Sequence, residues 1–133
     1  MKTFLDAGVL ISAWRGNSAA AAAAKQILED ERRNFLSSDN VRLEVLPKPA
    51  FEKRPLELDF YSVFFQRAET SEPFSDELGR DALALAKKYG LASGDALNLA
   101  SAIRQGAKEF FTSELPGKPM FRVREVKVVS IHA

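Results

Sequence analysis

The run Lys2-Thr3-Phe4-Leu5-Asp6-Ala7-Gly8-Val9-Leu10-Ile11 decides the fold. Periodicity alone leaves Thr3-Phe4-Leu5 open between a short buried strand and the start of a helix. Two features favour a strand followed by a helix. Gly8 breaks the run, and Val9, Leu10, Ile11, Ala13 and Trp14 then form a cluster too dense for the alternation of a half-buried strand. Asp6 accordingly falls at the carboxyl end of a strand.

Outward from this run, Arg15-Gly16-Asn17-Ser18 is a turn with capping chemistry, and Ala19 to Ala24 with Ile27 and Leu28 is strong helix sequence. Asn34-Phe35-Leu36-Ser37-Ser38 reads as a second strand, and Ser38-Asp39-Asn40 offers caps for the helix carrying Val41, Leu43, Val45 and Leu46. Pro47 and Pro49 are expected to stop that helix. From Pro55 to Glu69 the pattern predicts a helix with Leu56, Phe60, Val63 and Phe64 on one side and Leu58, Tyr61 and Phe65 on the other. Apolar residues on two sides predict burial on both. Asp76 to Tyr89 is a further helix, capped by Ser75 and ended by Gly90. Another starts at Ser93 or Gly94, carries a stripe of Ala96, Leu99, Ala100 and Ile103, and ends at Gly106. Glu109-Phe110-Phe111-Thr112 and Lys127-Val128-Val129-Ser130-Ile131 are the remaining strands. Strands separated by helices, without a tight hairpin signal, predict an α/β domain with a mainly parallel sheet.

Composition narrows the chemistry. The 133 residues suit one domain, residues 1–133, with no repeat or linker. Nineteen basic and eighteen acidic residues give a net charge of +1, so any nucleic-acid contact must come from a local patch. The absence of cysteine excludes disulfides, thiolate nucleophiles and cysteine-ligated zinc. The single histidine is His132, which argues against Ser-His-Asp catalysis and histidine-based zinc sites. No apolar run approaches the ~18 residues of a membrane span, and the first residues lack a signal-peptide pattern. A cytoplasmic protein whose chemistry rests on carboxylates is expected.

In an open parallel sheet, ligands bind beyond the carboxyl ends of the strands. Asp6 ends the first strand, and Glu114 follows the third after Thr112-Ser113. Asp95 opens the helix leading into that third strand, and Glu44 lies about one turn into the helix after the second. Taken singly, each has a plain reading: a turn residue, a helix-dipole partner, a solvated helix acid, a loop acid. As a set they converge on one edge of the sheet. Two unit negative charges ~4 Å apart repel by about 4 kcal/mol at an effective dielectric near 20, so clustered carboxylates must share protons, stay apart or hold a cation. Oxygen donors without histidine or cysteine suit Mg²⁺ or Mn²⁺. A site of that kind activates water and neutralises a phosphodiester in an in-line displacement.

The chain resembles the PIN-domain nucleases, in particular the small single-domain VapC toxins, over essentially its whole length. The resemblance rests on Thr3-Phe4-Leu5-Asp6-Ala7-Gly8-Val9-Leu10-Ile11, on Ser37 to Val45 with Glu44 at the family glutamate, on Gly90 to Ala102 with Asp95 at the third acid, and on Phe110-Phe111-Thr112-Ser113-Glu114. It implies a three-layer α/β/α, Rossmann-like PIN fold. It also implies metal-dependent endoribonuclease activity with Mg²⁺ or Mn²⁺ at Asp6, Glu44, Asp95 and Glu114, with a small antitoxin as partner. Two positions differ from the family pattern: Gly8 stands where a small polar residue is frequent, and Glu114 where aspartate is more usual.

Supporting roles are expected for two further residues. The Thr112 hydroxyl would serve the attacking water or the phosphate, and Asn98, on the same helical face as Asp95, would orient that carboxylate. For Asn98 a plain buried amide with a backbone partner reads equally well. Arg15, Arg42, Lys48, Lys53 and Arg54 are candidate phosphate contacts, though a solvated surface accounts for each. Phe60, Tyr61, Phe64 and Phe65 put more aromatic surface on one helix than a small core needs, as expected either of a self-packed helix pair or of a homodimer or antitoxin contact. Two rival functions stand beside the nuclease: a PIN-like module that binds RNA or protein without cutting, and a phosphatase or receiver with an acidic pocket. The last lacks support, since Asp6-Ala7-Gly8 has no second acid and no clear late lysine accompanies it.

Overall fold

Five strands lie in one sheet in the order β3-β2-β1-β4-β5, and every neighbouring pair is parallel. They are β1 (Lys2–Leu5), β2 (Asn34–Ser38), β3 (Thr70–Glu72), β4 (Glu109–Thr112) and β5 (Lys127–Ser130). The structure, a computed structural model, describes residues 1–132.

The central strand β1 is fully enclosed over Thr3, Phe4 and Leu5 because it has a partner on each side and helices on each face. Phe4 sits opposite Leu36 on one side and Phe110 on the other, and the Phe4 and Phe110 rings stack with centroids 5.4 Å apart. Each such fully buried side chain contributes roughly 1.5–3 kcal/mol of transfer free energy.

Seven α-helices connect the strands: α1 (Ala7–Arg15), α2 (Ala19–Glu29), α3 (Asp39–Val45), α4 (Pro47–Phe51), α5 (Pro55–Arg67), α6 (Asp76–Tyr89) and α7 (Ser93–Arg104). A short 3-10 helix, Pro119–Arg122, precedes β5. The chain runs from β1 through β2 to β3 in one direction and then returns to β4 and β5 on the other side of β1; α1 packs with α2 and α5, and α6 with α7, as right-handed crossovers on opposite faces require. The result is the expected three-layer α/β/α architecture. Ser18, Ser38 and Ser75 cap their helices through side-chain oxygens, and Gly90 ends α6 at φ 70°, a left-handed conformation that glycine adopts without strain.

As expected, α3 ends before Pro47, at Val45; Pro47 then opens α4 from its first turn, where a missing N–H costs nothing. Two expectations need correction. The α5 helix ends at Arg67, and the polar stretch Thr70–Glu72 forms an edge strand that apolar patterning does not signal. Nor is α5 buried on two sides. Tyr61, Phe64 and Phe65 face the core, whereas Leu56 and Val63 are 70% and 64% exposed.

Candidate active site

The strand order reverses direction at β1 and β4, so the carboxyl ends of these two strands form the topological switch point. Asp6 leaves β1 there. Its backbone N–H bonds Phe111 O of β4 at 3.1 Å, and its carboxylate caps α1 by accepting the Val9 N–H at 3.2 Å. The side chain is thus fixed at both ends of a strand-to-helix turn, 8% exposed. Glu114 follows β4, its N–H held by Thr112 Oγ1 at 3.1 Å and its carbonyl by the Ser130 hydroxyl at 2.7 Å.

Glu44 projects from the last turn of α3, where two buried amides fix one of its oxygens. Asn98 Nδ2 of α7 donates to Oε1 at 2.8 Å and Asn40 Nδ2 donates to the same atom at 3.2 Å, while Asn40 also donates to Asn98 Oδ1 at 2.9 Å. The other oxygen, Oε2, faces the first turn of α7 beside Gly94, one residue before Asp95.

The acids sense one another. Burial pushes the Asp6 carboxyl up to about 6, against hydrogen bonds from the Thr112 hydroxyl and the Val9 N–H, and the charges of Glu44 and Asp95 push the same way. Burial also raises Glu44, opposed by Asn98 and reinforced by Asp95, and raises Asp95, reinforced by Glu114. All four predicted acids therefore share one electrostatic neighbourhood at the switch point. Among the described residues, however, no three Asp, Glu, His or Cys side chains stand close enough to enclose an ion by themselves. The donor set still suits Mg²⁺ or Mn²⁺, since Mg²⁺ is commonly held through one or two carboxylates with water completing its shell.

The supporting residues sit differently from expectation. Asn98 holds Glu44 rather than Asp95, and Thr112 serves Asp6 and the Glu114 backbone. Asn40 was legible only as a cap candidate. Its spacing of four from Glu44, which puts both on one face of α3, is the signal that would have marked it. Of the basic residues, Arg15 and Arg54 turn to the buried Glu57, and Arg42 lies over the Phe65 ring at 4.4 Å. Lys48 and Lys53 are exposed.

Residues 3–114, a span that includes all four acids, match the family model described as the PIN domain, and the chain belongs to that family. Several solved structures share its fold. The VapBC2 structure from Rickettsia felis, bound to a DNA fragment from its promoter, superposes with a TM-score of 0.72 at 16% identity over 98% of each chain. A toxin–antitoxin complex from Klebsiella pneumoniae gives 0.70 at 22% identity, again over 98% of each chain. VapC20 of Mycobacterium tuberculosis, described as a sarcin–ricin loop cleaving toxin, gives 0.70 at 14% identity over 94% of this chain and 98% of that one. A search of curated protein sequences finds no match.

Proposed function

We propose that this chain is a Mg²⁺- or Mn²⁺-dependent endoribonuclease that hydrolyses RNA phosphodiester bonds as the toxin of a cytoplasmic toxin–antitoxin pair. The observation that carries the reading is the placement of Asp6 and Glu114 after the carboxyl ends of β1 and β4, with Glu44 tied by Asn98 to the helix that carries Asp95, at the switch point of a PIN domain. Uncompensated, that much negative charge is unfavourable, and a divalent cation offsets it. The toxin–antitoxin origin of the structural neighbours supports the biological setting.

Asp6, Asp95 and Glu114 would hold the ion together with water, and the Thr112 hydroxyl keeps Asp6 oriented. Glu44, clamped through Oε1 by Asn98 and Asn40, keeps Oε2 free to accept a proton or a hydrogen bond from the attacking water. A bound Mg²⁺ or Mn²⁺ supplies water activation and neutralises charge on the scissile phosphate. Cleavage of RNA in the presence of Mn²⁺, lost on chelation and lost in Asp6→Asn, is the expected result. Wild-type cleavage by that variant overturns the mechanism.

The strip of exposed Trp14, Leu56 and Val63 with half-buried Phe60 between them, bordered by Leu28 and Arg67, is the surface we assign to the antitoxin. Trp14 and Phe60 pack with centroids 5.4 Å apart, which fixes the floor of a groove able to receive the apolar face of a helix. A homodimer is the remaining expected assembly. The second reading, a domain that binds RNA or a partner without cutting, draws on the absence of a closed carboxylate cage among the described residues. A melting temperature that Mn²⁺ fails to raise would favour it.

A further inference from the structure

Gly8 occupies the first turn of α1, two residues after Asp6, where alanine would serve the helix better. Space explains the glycine. A Cβ at this position would lie 1.8 Å from Ser113 Oγ and 2.8 Å from Ser113 Cβ. Rotating the hydroxyl away relieves only the first contact, because Cβ is fixed to the backbone of the loop after β4. The same point lies 3.5 Å from Asp6 Oδ1. The Ser113 side chain therefore fills the volume beside Asp6 that a side chain at position 8 would otherwise take.

Neighbouring hydroxyls at this end of the sheet are committed: Thr112 Oγ1 accepts from the Glu114 N–H, and Ser130 Oγ donates to Glu114 O. Ser113 is half-buried, and its hydroxyl makes no hydrogen bond among the described residues. It is a neutral oxygen, able both to donate and to accept, near the Asp6 carboxylate, which only accepts when ionised.

We propose that Ser113 is a positioning residue of the cation site, its hydroxyl supplying the polar group beside Asp6 from the β4 side while Gly8 keeps that space open. This rests on the metal-dependent reading above and goes beyond it in assigning a fifth side chain and a reason for the glycine. A hydroxyl there, unpartnered among the described residues, would orient the water around a bound ion beside Asp6, as groups surrounding a metal's direct ligands commonly do.

The test is a reciprocal exchange read by Mn²⁺ affinity, from calorimetry and from the rise in melting temperature. Ser113→Ala keeps Cβ and removes only the hydroxyl. It is expected to leave the metal-free melting temperature within about 2 °C of wild type and to weaken Mn²⁺ binding roughly tenfold. Gly8→Ala is expected to lower the metal-free melting temperature, and Ser113→Gly in the same chain to relieve that loss. The double variant Gly8→Ser with Ser113→Gly returns a hydroxyl to the same space from α1, and is expected to recover the affinity that Ser113→Ala loses. Wild-type Mn²⁺ affinity in Ser113→Ala overturns the assignment, as does an exchange variant that fails to recover binding. If the wild-type protein itself gives no Mn²⁺ response, the metal-dependent reading fails, and the assignment fails with it. A tolerated Gly8→Ala with Ser113 in place contradicts the packing argument separately.

Discussion

Asp6 caps a helix with a carboxylate that is almost wholly withdrawn from water, and its charge is correspondingly costly. Its carboxyl rises from 3.8 to about 6 in the folded chain, chiefly through burial. The folded state therefore holds this proton more tightly than the unfolded state. Stability is full below pH 4 and declines as pH rises towards 6, by up to about 3 kcal/mol from this group. Asparagine caps helices as well as aspartate does. Metal-free Asp6→Asn is thus expected to melt higher than wild type at pH 8, with the gap closing below pH 4, as calorimetry across that range would record. The same proton competes with a cation: apparent Mn²⁺ affinity should fall as pH drops through 6, approaching about tenfold per unit below it from Asp6 alone.

Glu44 gives a second prediction at this scale. Asn98→Ala removes the 2.8 Å donor and leaves Asn40 Nδ2 and Glu44 Oε1 short of a partner. A loss of about 1–2 kcal/mol in stability is expected by denaturant titration, with Mn²⁺ affinity reduced roughly tenfold. Chain position alone leads one to expect Glu44 and Asp95 near the carboxyl edge of the sheet. The Asn98–Glu44 pairing was not legible, because it depends on how α7 crosses α3, and one helix's periodicity says nothing about its neighbour's rotation. Ser113 was hidden for a similar reason: its meaning comes from a close approach to Gly8 across 105 residues of chain.

At the scale of elements, α5 shows what patterning can and cannot give. Its existence and start at Pro55 follow from sequence, but apolar residues on two sides do not establish two buried sides. Tyr61, Phe64 and Phe65 reach the core, and the Tyr61 hydroxyl donates to the buried Glu57 at 2.7 Å. Arg15 reaches the same carboxylate at 3.3 Å from α1 and Arg54 at 3.5 Å from the residue before α5. That polar knot fastens α5 to α1. Both arginines are partly exposed, which softens the loss, so Glu57→Ala is expected to cost about 2–3 kcal/mol in denaturant titration. The opposite face carries Leu56 and Val63 in solvent. Val63→Glu should leave melting temperature near wild type while abolishing antitoxin binding, measured by calorimetry with the partner. Unchanged affinity would remove this face from the interface.

At the scale of the molecule, the sheet does the assembling. Four acids scattered from position 6 to position 114 share one neighbourhood only because the crossovers reverse at β1 and β4. The alternation of strand and helix made that parallel sheet legible. The edge strand β3 was not, since Thr70, Ser71 and Glu72 carry no apolar signal and pair with β2 through backbone groups. The described helices include none long and apolar enough to cross a membrane.

The most direct measurement is anomalous diffraction from crystals soaked in Mn²⁺ near pH 8, where Asp6 is ionised. A Mn²⁺ peak bounded by the carboxylates of Asp6, Asp95 and Glu114, with Glu44 facing it, is the predicted result. Clear density for four ordered acids with no peak among them, at Mn²⁺ concentrations well above those that support RNA cleavage by related activities in the same buffer, would contradict the shared-cation account.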